Sequence, residues 1–255
     1  MSYNLRYDTP ADGRYRWDKR KAKVVRKLQA DAADIIGFQE ALISQVTYLD
    51  EQLEDYNWVG VGREDGGEIG EFAPIFYRTD TFEMIESGTQ WLSQTPSVPS
   101  IGWDASHKRI ATWAILEERA SQRKLLVINT HFDHRGSEAR TNSSQILINV
   151  TDSLSAYYND LSAVVMGDFN TVVSNKTLRP LLDSFDYALT SCINFTECQA
   201  AATYIGFPYA TERQKAIDHI FTRHLVVESY VVDIDNYGLG FLSDHRSVIC
   251  RVAFP

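Results

Sequence analysis

No stretch of the chain approaches the roughly 18 consecutive apolar residues that a helix needs to cross a bilayer, so stable membrane insertion is not expected. No basic segment leads into an apolar run at the N-terminus, so no signal peptide is legible. Low-complexity tracts, internal repeats and linker-like runs are missing as well, and one domain over residues 1–255 is the expectation. Histidine is scarce, at 6 residues. With no H-E-x-x-H and no Cys-x-x-Cys, the usual zinc arrangements are set aside. Neither a G-x-S-x-G elbow nor a G-x-x-x-x-G-K-[ST] loop occurs, which removes serine-dependent acyl transfer and P-loop nucleotide hydrolysis.

Positive charge is also short: 25 Lys and Arg face 34 Asp and Glu, a formal net charge of -9. Gripping long nucleic acid rests on neutralising phosphates, so a small phosphorylated partner is expected ahead of a long polymer. A bound metal can still reverse the local field of an acidic protein. The 3 cysteines cannot make a disulfide framework. Cys192 and Cys198 bracket the polar loop "CINFTEC" and could close a small ring, whereas Cys250 reads as core. Asn142, Asn149, Asn175 and Asn194 lie in N-x-S/T sequons, which leans toward a secreted protein over a cytoplasmic one.

What is present is a core: 44% of residues are hydrophobic and 12% aromatic, enough for a substantial globular interior. "MSYNLRY" alternates like a strand, and it starts so close to Met1 that a truncated first strand is expected. Asp18 is placed to cap a helix running to about Ala33, with Val24, Val25 and Leu28 on one face. "DIIGFQE" reads as a short buried strand, followed by a helix near 44–53. "APIFYR", "FEMIESGTQWL", "RIATWAILEE" and "KLLVINTHF" are strand-like in β-branched and aromatic content. A long helix over 137–157 precedes a strand at 162–166, and further strands are predicted at 216–221, 226–234 and 246–253. Many strands with few long helices predict two packed sheets with helices outside.

Polar chemistry recurs where these apolar runs stop. In "VVMGDFNTVVS" a buried run ends at one glycine and then presents Asp168 and Asn170. The pair suits an ordinary Asx turn, or a rigid catalytic edge. Asn4, Glu40 and His131 close three other apolar runs, Asp218 lies in "KAIDHIF", and Asp244 and His245 occupy "LSDH". Each alone suits a solvated loop; together they place carboxylates, amides and two histidines on one rim. Hard oxygen ligands favour Mg²⁺ or Mn²⁺, and histidine moves protons near neutral pH. Metal-assisted phosphate-ester hydrolysis fits that inventory.

In order, "SYNLRYD", "GFQE", "FAPIFYR", "NTHFDH", "GDFN", "AIDHIF" and "LSDHRSV" resemble the endonuclease/exonuclease/phosphatase superfamily from Asn4 to Val248. The resemblance implies an α/β fold, a four-layered α/β sandwich of two packed, mostly antiparallel sheets flanked by helices. It implies Glu40 as principal ligand of Mg²⁺, with Mn²⁺ as the substitute, and Asn4 and Asp244 beside it. Asp168 matches the acid that orients or deprotonates water, and Asn170 the amide that holds water or phosphate. His245 matches the base-side histidine with Asp218 as its partner. His131 matches the histidine facing phosphate, with Glu71 paired to it and Arg109 binding phosphate. The stretches "NLRYDTPADGRYRWDKRK" and "NTHFDHRGSEAR" resemble short, single-domain microbial members, whose Asp133, His134, Arg135 and Arg140 stand beside the rim. His134 and Arg140 are candidate substrate contacts there, or braces for the loop. Trp17, Trp91 and Trp103 are candidates for a pocket lining or for core. The implied function is a monomeric phosphodiesterase or phosphomonoesterase. A nuclease or deadenylase for single-stranded RNA or DNA is the alternative, and a catalytically silent module a third.

Overall fold

A computed structural model describes residues 1–194, 196–207, 214–234 and 240–255. Phe195, inside the Asn194 sequon, lies outside the described residues. In chain order the elements are β1 (Ser2–Asn4), α1 (Trp17–Asp31), β2 (Ile35–Gln39), α2 (Ile43–Gln52), β3 (Tyr56–Val59) and β4 (Ile75–Arg78). Then come β5 (Phe82–Trp91), β6 (Ile110–Glu118), β7 (Lys124–His131), α3 (Ser137–Tyr157), β8 (Ser162–Asp168) and α4 (Arg179–Ser184). The last are β9 (Asp186–Tyr187), α5 (Ala188–Ser191), β10 (Cys198–Gln199), β11 (Asp218–Arg223), β12 (Val226–Val232) and β13 (Val248–Ala253).

The strands form a 7-stranded sheet, β10-β12-β13-β1-β2-β4-β3, and a 6-stranded sheet, β5-β6-β7-β8-β11-β9. Both are mixed: β1 with β2, β10 with β12 and β7 with β8 run parallel, and the other pairs are antiparallel. Ile75, Val127, Met166, Ile220 and Tyr230 fill the space between the sheets. Trp17, Val24, Val25 and Leu28 of α1, with Val46 and Leu49 of α2, pack on the 7-stranded sheet. Leu147 and Ile148 of α3 and Leu181 of α4 cover the other sheet. Helix, sheet, sheet, helix: this is an α/β sandwich.

The sheets interlock beneath the rim through polar side chains. Gln39 Nε2 donates to Asn129 Oδ1 at 2.7 Å, and Asn129 Nδ2 donates to the carbonyls of Phe38 and Pro74 at 2.7 and 2.9 Å. This pair bonds across the two sheets and fixes the lateral position of one on the other.

Several expected boundaries move for physical reasons. Asp18 does not cap α1: Arg16 occupies that position without a side-chain bond, and Asp18 sits exposed in the first turn. The first strand needs no alternation, because β1 lies between β13 and β2 and is buried on both faces. β11 starts at Asp218 rather than two residues earlier, which puts that carboxylate at a strand end. Trp17 and Trp91 are core, 4% and 6% exposed, and do not line a pocket; Trp103 is half-buried. Cys192 and Cys198 are bonded to each other.

Candidate active site

Strand register assembles the site. β7 and β8 run parallel with His131 opposite Asp168, and β8 and β11 run antiparallel with Asp168 opposite Asp218. Three polar residues thus stand in one row across adjacent strand ends. The neighbouring sheet delivers Asn4 at the end of β1, Glu40 just past β2, and Asp244 and His245 ahead of β13. Gly167 makes the row possible, since a Cβ there would lie 2.1 Å from the Thr130 carbonyl, and its φ is +153°. The lone glycine before Asp168 is a requirement of close strand approach.

Asp168 is the focal group. Its Oδ2 lies 3.0 Å from Asn4 Nδ2, 3.6 Å from His131 Nε2 and 3.8 Å from His245 Nε2. Its Oδ1 accepts the backbone N–H of Asn170 at 2.9 Å, the Asx turn read from the sequence. The turn and the polar edge are one structure. Burial, and then the neighbouring Asp218 carboxylate, raise the Asp168 pKa above the ordinary carboxylate value.

The two histidines differ. His245 Nδ1 donates to Asp218 Oδ2 at 2.8 Å. Burial works against its charge, but the carboxylates of Asp218, Asp168 and Asp244 outweigh it and hold the imidazole pKa well above the usual value. His131 is pushed down to about 3 by burial and then by the nearby Arg109 charge. Its tautomer follows from its neighbours. Asn170 Nδ2 donates to the Phe132 carbonyl at 3.0 Å, so the nitrogen end of that amide also faces His131 Nε2, at 3.0 Å. Nε2 therefore accepts, and the single proton sits on Nδ1, 3.7 Å from Glu71 Oε2. Asn170 Oδ1 is left facing the site for water or phosphate.

Glu71 is shared. Arg63 Nη1 donates to its Oε2 at 2.6 Å, and Arg109 Nη1 lies 3.9 Å away. Arg109 is 5% exposed, with Nε 3.5 Å from Asp133 Oδ2 and Nη2 3.3 Å from His134 Nδ1. His134 is exposed at the rim, whereas Arg140 is buried and donates to the Asp133 carbonyl at 2.7 Å, bracing the loop.

The oxygen-rich end holds Glu40, Asp168 and Asp244. Glu40 Oε1 accepts from Asn4 Nδ2 at 3.1 Å, its Oε2 from the Tyr7 N–H at 3.2 Å, and Arg6 stays 3.8 Å off. Asn4 turns its Oδ1 to the Arg6 N–H at 2.9 Å, so in this arrangement it spaces two carboxylates rather than offering oxygen. Ligand atoms of Glu40, His131 and Asp168 fall within 4.8 Å of one another, as do those of Asp168, Asp218 and His245. Crowded carboxylate oxygens suit a hard divalent ion, and Glu40 and Asp244, close enough to act on each other's charge, are the candidates to hold it. Burial raises the Asp244 pKa, His245 offsets part of that rise, and Glu40 adds to it.

Several contributors were not legible as site residues. Thr203 Oγ1 accepts the N–H groups of Ile217 and Asp218, each at 3.0 Å, and fixes the start of β11. Ser243 Oγ donates to the Asn4 carbonyl at 2.6 Å and ties the β1 end to the Asp244 loop. Buried Arg20 donates to the carbonyls of Tyr15 at 2.6 Å, Leu5 at 2.9 Å, Arg6 at 3.1 Å and Leu242, clamping backbone beside Asn4 and Ser243. Arg6, Glu40 and Asn170 carry φ of +57°, +59° and +52°, three of the eight non-glycine residues at positive φ among the described residues.

A two-sheet sandwich with this row of acids, amides and histidine–carboxylate pairs defines the class: a metal-dependent phosphoesterase or nuclease fold. The chain belongs to the Endonuclease/Exonuclease/phosphatase family, whose model matches residues 1–245. It is similar to the endonuclease/exonuclease/phosphatase from Bacteroides vulgatus, with 32% identity, a TM-score of 0.90 and coverage of 100% of this chain and 97% of the other. A mannosyl-6-phosphatase from Bacteroides thetaiotaomicron gives 30% identity, a TM-score of 0.88 and coverage of 99% and 98%. An uncharacterised protein of Acanthamoeba polyphaga mimivirus is 29% identical over 225 residues, 83% of this chain and 81% of that one.

Proposed function

We propose that the chain hydrolyses the phosphate ester of a small molecule by in-line attack of water on phosphorus, with Mg²⁺ or Mn²⁺ as cofactor. The observation that carries this reading is the position of Asp168 Oδ2, within 3.0–3.8 Å of Asn4, His131 and His245. Asp168, with its raised pKa, accepts the proton of the attacking water. Asn170 Oδ1 and backbone orient that water. His245, kept charged by Asp218, donates toward a phosphoryl oxygen, and Arg109 adds positive charge on the His131 side. Glu40 and Asp244 would hold the divalent ion, which would supply charge neutralisation to the reaction.

The net charge of -9 supports a small ester over a long nucleic acid. The 30% identity to a mannosyl-6-phosphatase supports a phosphomonoester. The test is release of phosphate or product with Mg²⁺ or Mn²⁺ across phosphomonoesters, phosphodiesters, single-stranded RNA and DNA. Wild type is expected to turn over a monoester, and Asp168→Asn to fall by about 10³-fold. Wild-type rate in that variant removes Asp168 as the water-activating acid, and cleavage confined to RNA or DNA replaces this reading with a nuclease.

A further inference from the structure

We propose that His107 and His134, with Nη2 of Arg109, form a subsite for the hydroxyl groups of a compact phosphorylated sugar or polyol whose phosphate lies at Asp168. The inference rests on the phosphoesterase reading and adds the substrate class.

The geometry leads outward from the reacting centre in short steps. His131 Nδ1 faces Glu71 at 3.7 Å, Glu71 faces Arg109 Nη1 at 3.9 Å, and Arg109 Nη2 reaches His134 Nδ1 at 3.3 Å. The His134 ring stacks on His107, centroids 5.7 Å apart and planes 23° from parallel. A guanidinium only donates, so Nδ1 of exposed His134 accepts and its ring proton is on Nε2. Within buried Arg109, Nε and Nη1 face the carboxylates of Asp133 and Glu71 at 3.5 and 3.9 Å, which leaves Nη2 as the arm that meets His134 at the rim.

The two loops that carry the histidines are locked together before any ligand arrives. Asp133 Oδ1 takes the N–H groups of Arg135 and Gly136 at 2.9 and 2.8 Å, and its Oδ2 takes the Ser106 N–H at 3.0 Å. Asp104 crosses the other way, accepting from Ala139 N at 2.7 Å and Glu138 N at 3.2 Å at the start of α3. That helix end is thereby already capped, and the loops are cross-braced by two carboxylates.

Such a rim presents N–H edges at fixed positions, one guanidinium away from the phosphate. Hydroxyls, which donate and accept, match it.

The experiment compares a hexose 6-phosphate with p-nitrophenyl phosphate, which has no hydroxyls, for wild type, the His107→Ala/His134→Ala double variant and His134→Gln. Both side chains are exposed, so the fold tolerates the changes. In the double variant the preference for the sugar ester, as a ratio of kcat/KM values, is expected to fall about tenfold and mainly through KM. His134→Gln, which keeps a donor, recovers part of it. A purely structural role acting through Arg109 would lower both substrates together and leave the ratio intact, which overturns the proposal. If wild type cleaves neither ester, the phosphomonoesterase reading itself falls.

Discussion

His131 and His245 stand on either side of one carboxylate oxygen, at 3.6 and 3.8 Å, yet the protein builds them in opposite ways. His245 has its own acid, Asp218, at 2.8 Å, and carries charge. His131 faces Glu71 at 3.7 Å, but Glu71 is engaged by Arg63 at 2.6 Å, and with Arg109 close by His131 stays neutral. The residue type and the distance to Asp168 are alike; the assignment of partners decides the proton. Groups whose environments push their proton affinities apart are the mark of divided labour in a site.

That contrast breaks most severely at Asp218. Asp218→Asn removes the acid that orients and charges His245, and kcat is expected to fall by about 10²–10³ with KM little changed. Steady-state kinetics check it, and an unaltered kcat would show that His245 needs no partner. Glu40→Gln probes the oxygen-rich end, where neither histidine is altered. Half-saturation by Mg²⁺ is expected to rise at least about tenfold in a metal titration of rate. The same half-saturation as wild type would remove Glu40 as a ligand.

His219, outside the reacting row, sharpens the comparison as a third histidine. It is fully buried, its Nε2 donates to the Thr171 carbonyl at 2.9 Å, and burial lowers its pKa to about 4. The unfolded chain takes up a proton near 6.5, before the folded one does. The contribution of neutral His219 is therefore complete above 6.5 and lost as pH falls toward 4. A proton affinity lowered from 6.5 to about 4 is worth at most about 3 kcal/mol. Urea midpoints should decline between pH 6.5 and 4, less steeply in His219→Gln; equal declines would place the acid sensitivity elsewhere.

The strands carrying the reacting row are legible because β-branched runs such as "AVVMGDFN" stop abruptly at polar residues, and sequence order alone aligns them with the family. Register is not legible. Nothing in the letters says that His131, Asp168 and Asp218 become lateral neighbours, because that depends on hydrogen-bond pairing between distant strands. Thr203 and Ser243 escape notice for a related reason: they act by bonding backbone groups, which leaves no pattern of side-chain types. Arg20, one basic residue among several in α1, is 2% exposed and satisfied by carbonyls instead of acids, which the letters do not show. Glu40 and Arg6 at positive φ are likewise invisible, since only tertiary context holds such residues there.

The reacting groups are divided between the layers: Asn4, Glu40 and His245 come from one sheet, and His131, Asp168 and Asp218 from the other. Anything seated among them therefore acts as a rivet through the sandwich. Occupancy at a hundred times the dissociation constant would add about 2.7 kcal/mol to the stability of the whole chain. Equally, neither layer can peel away without dismantling the site.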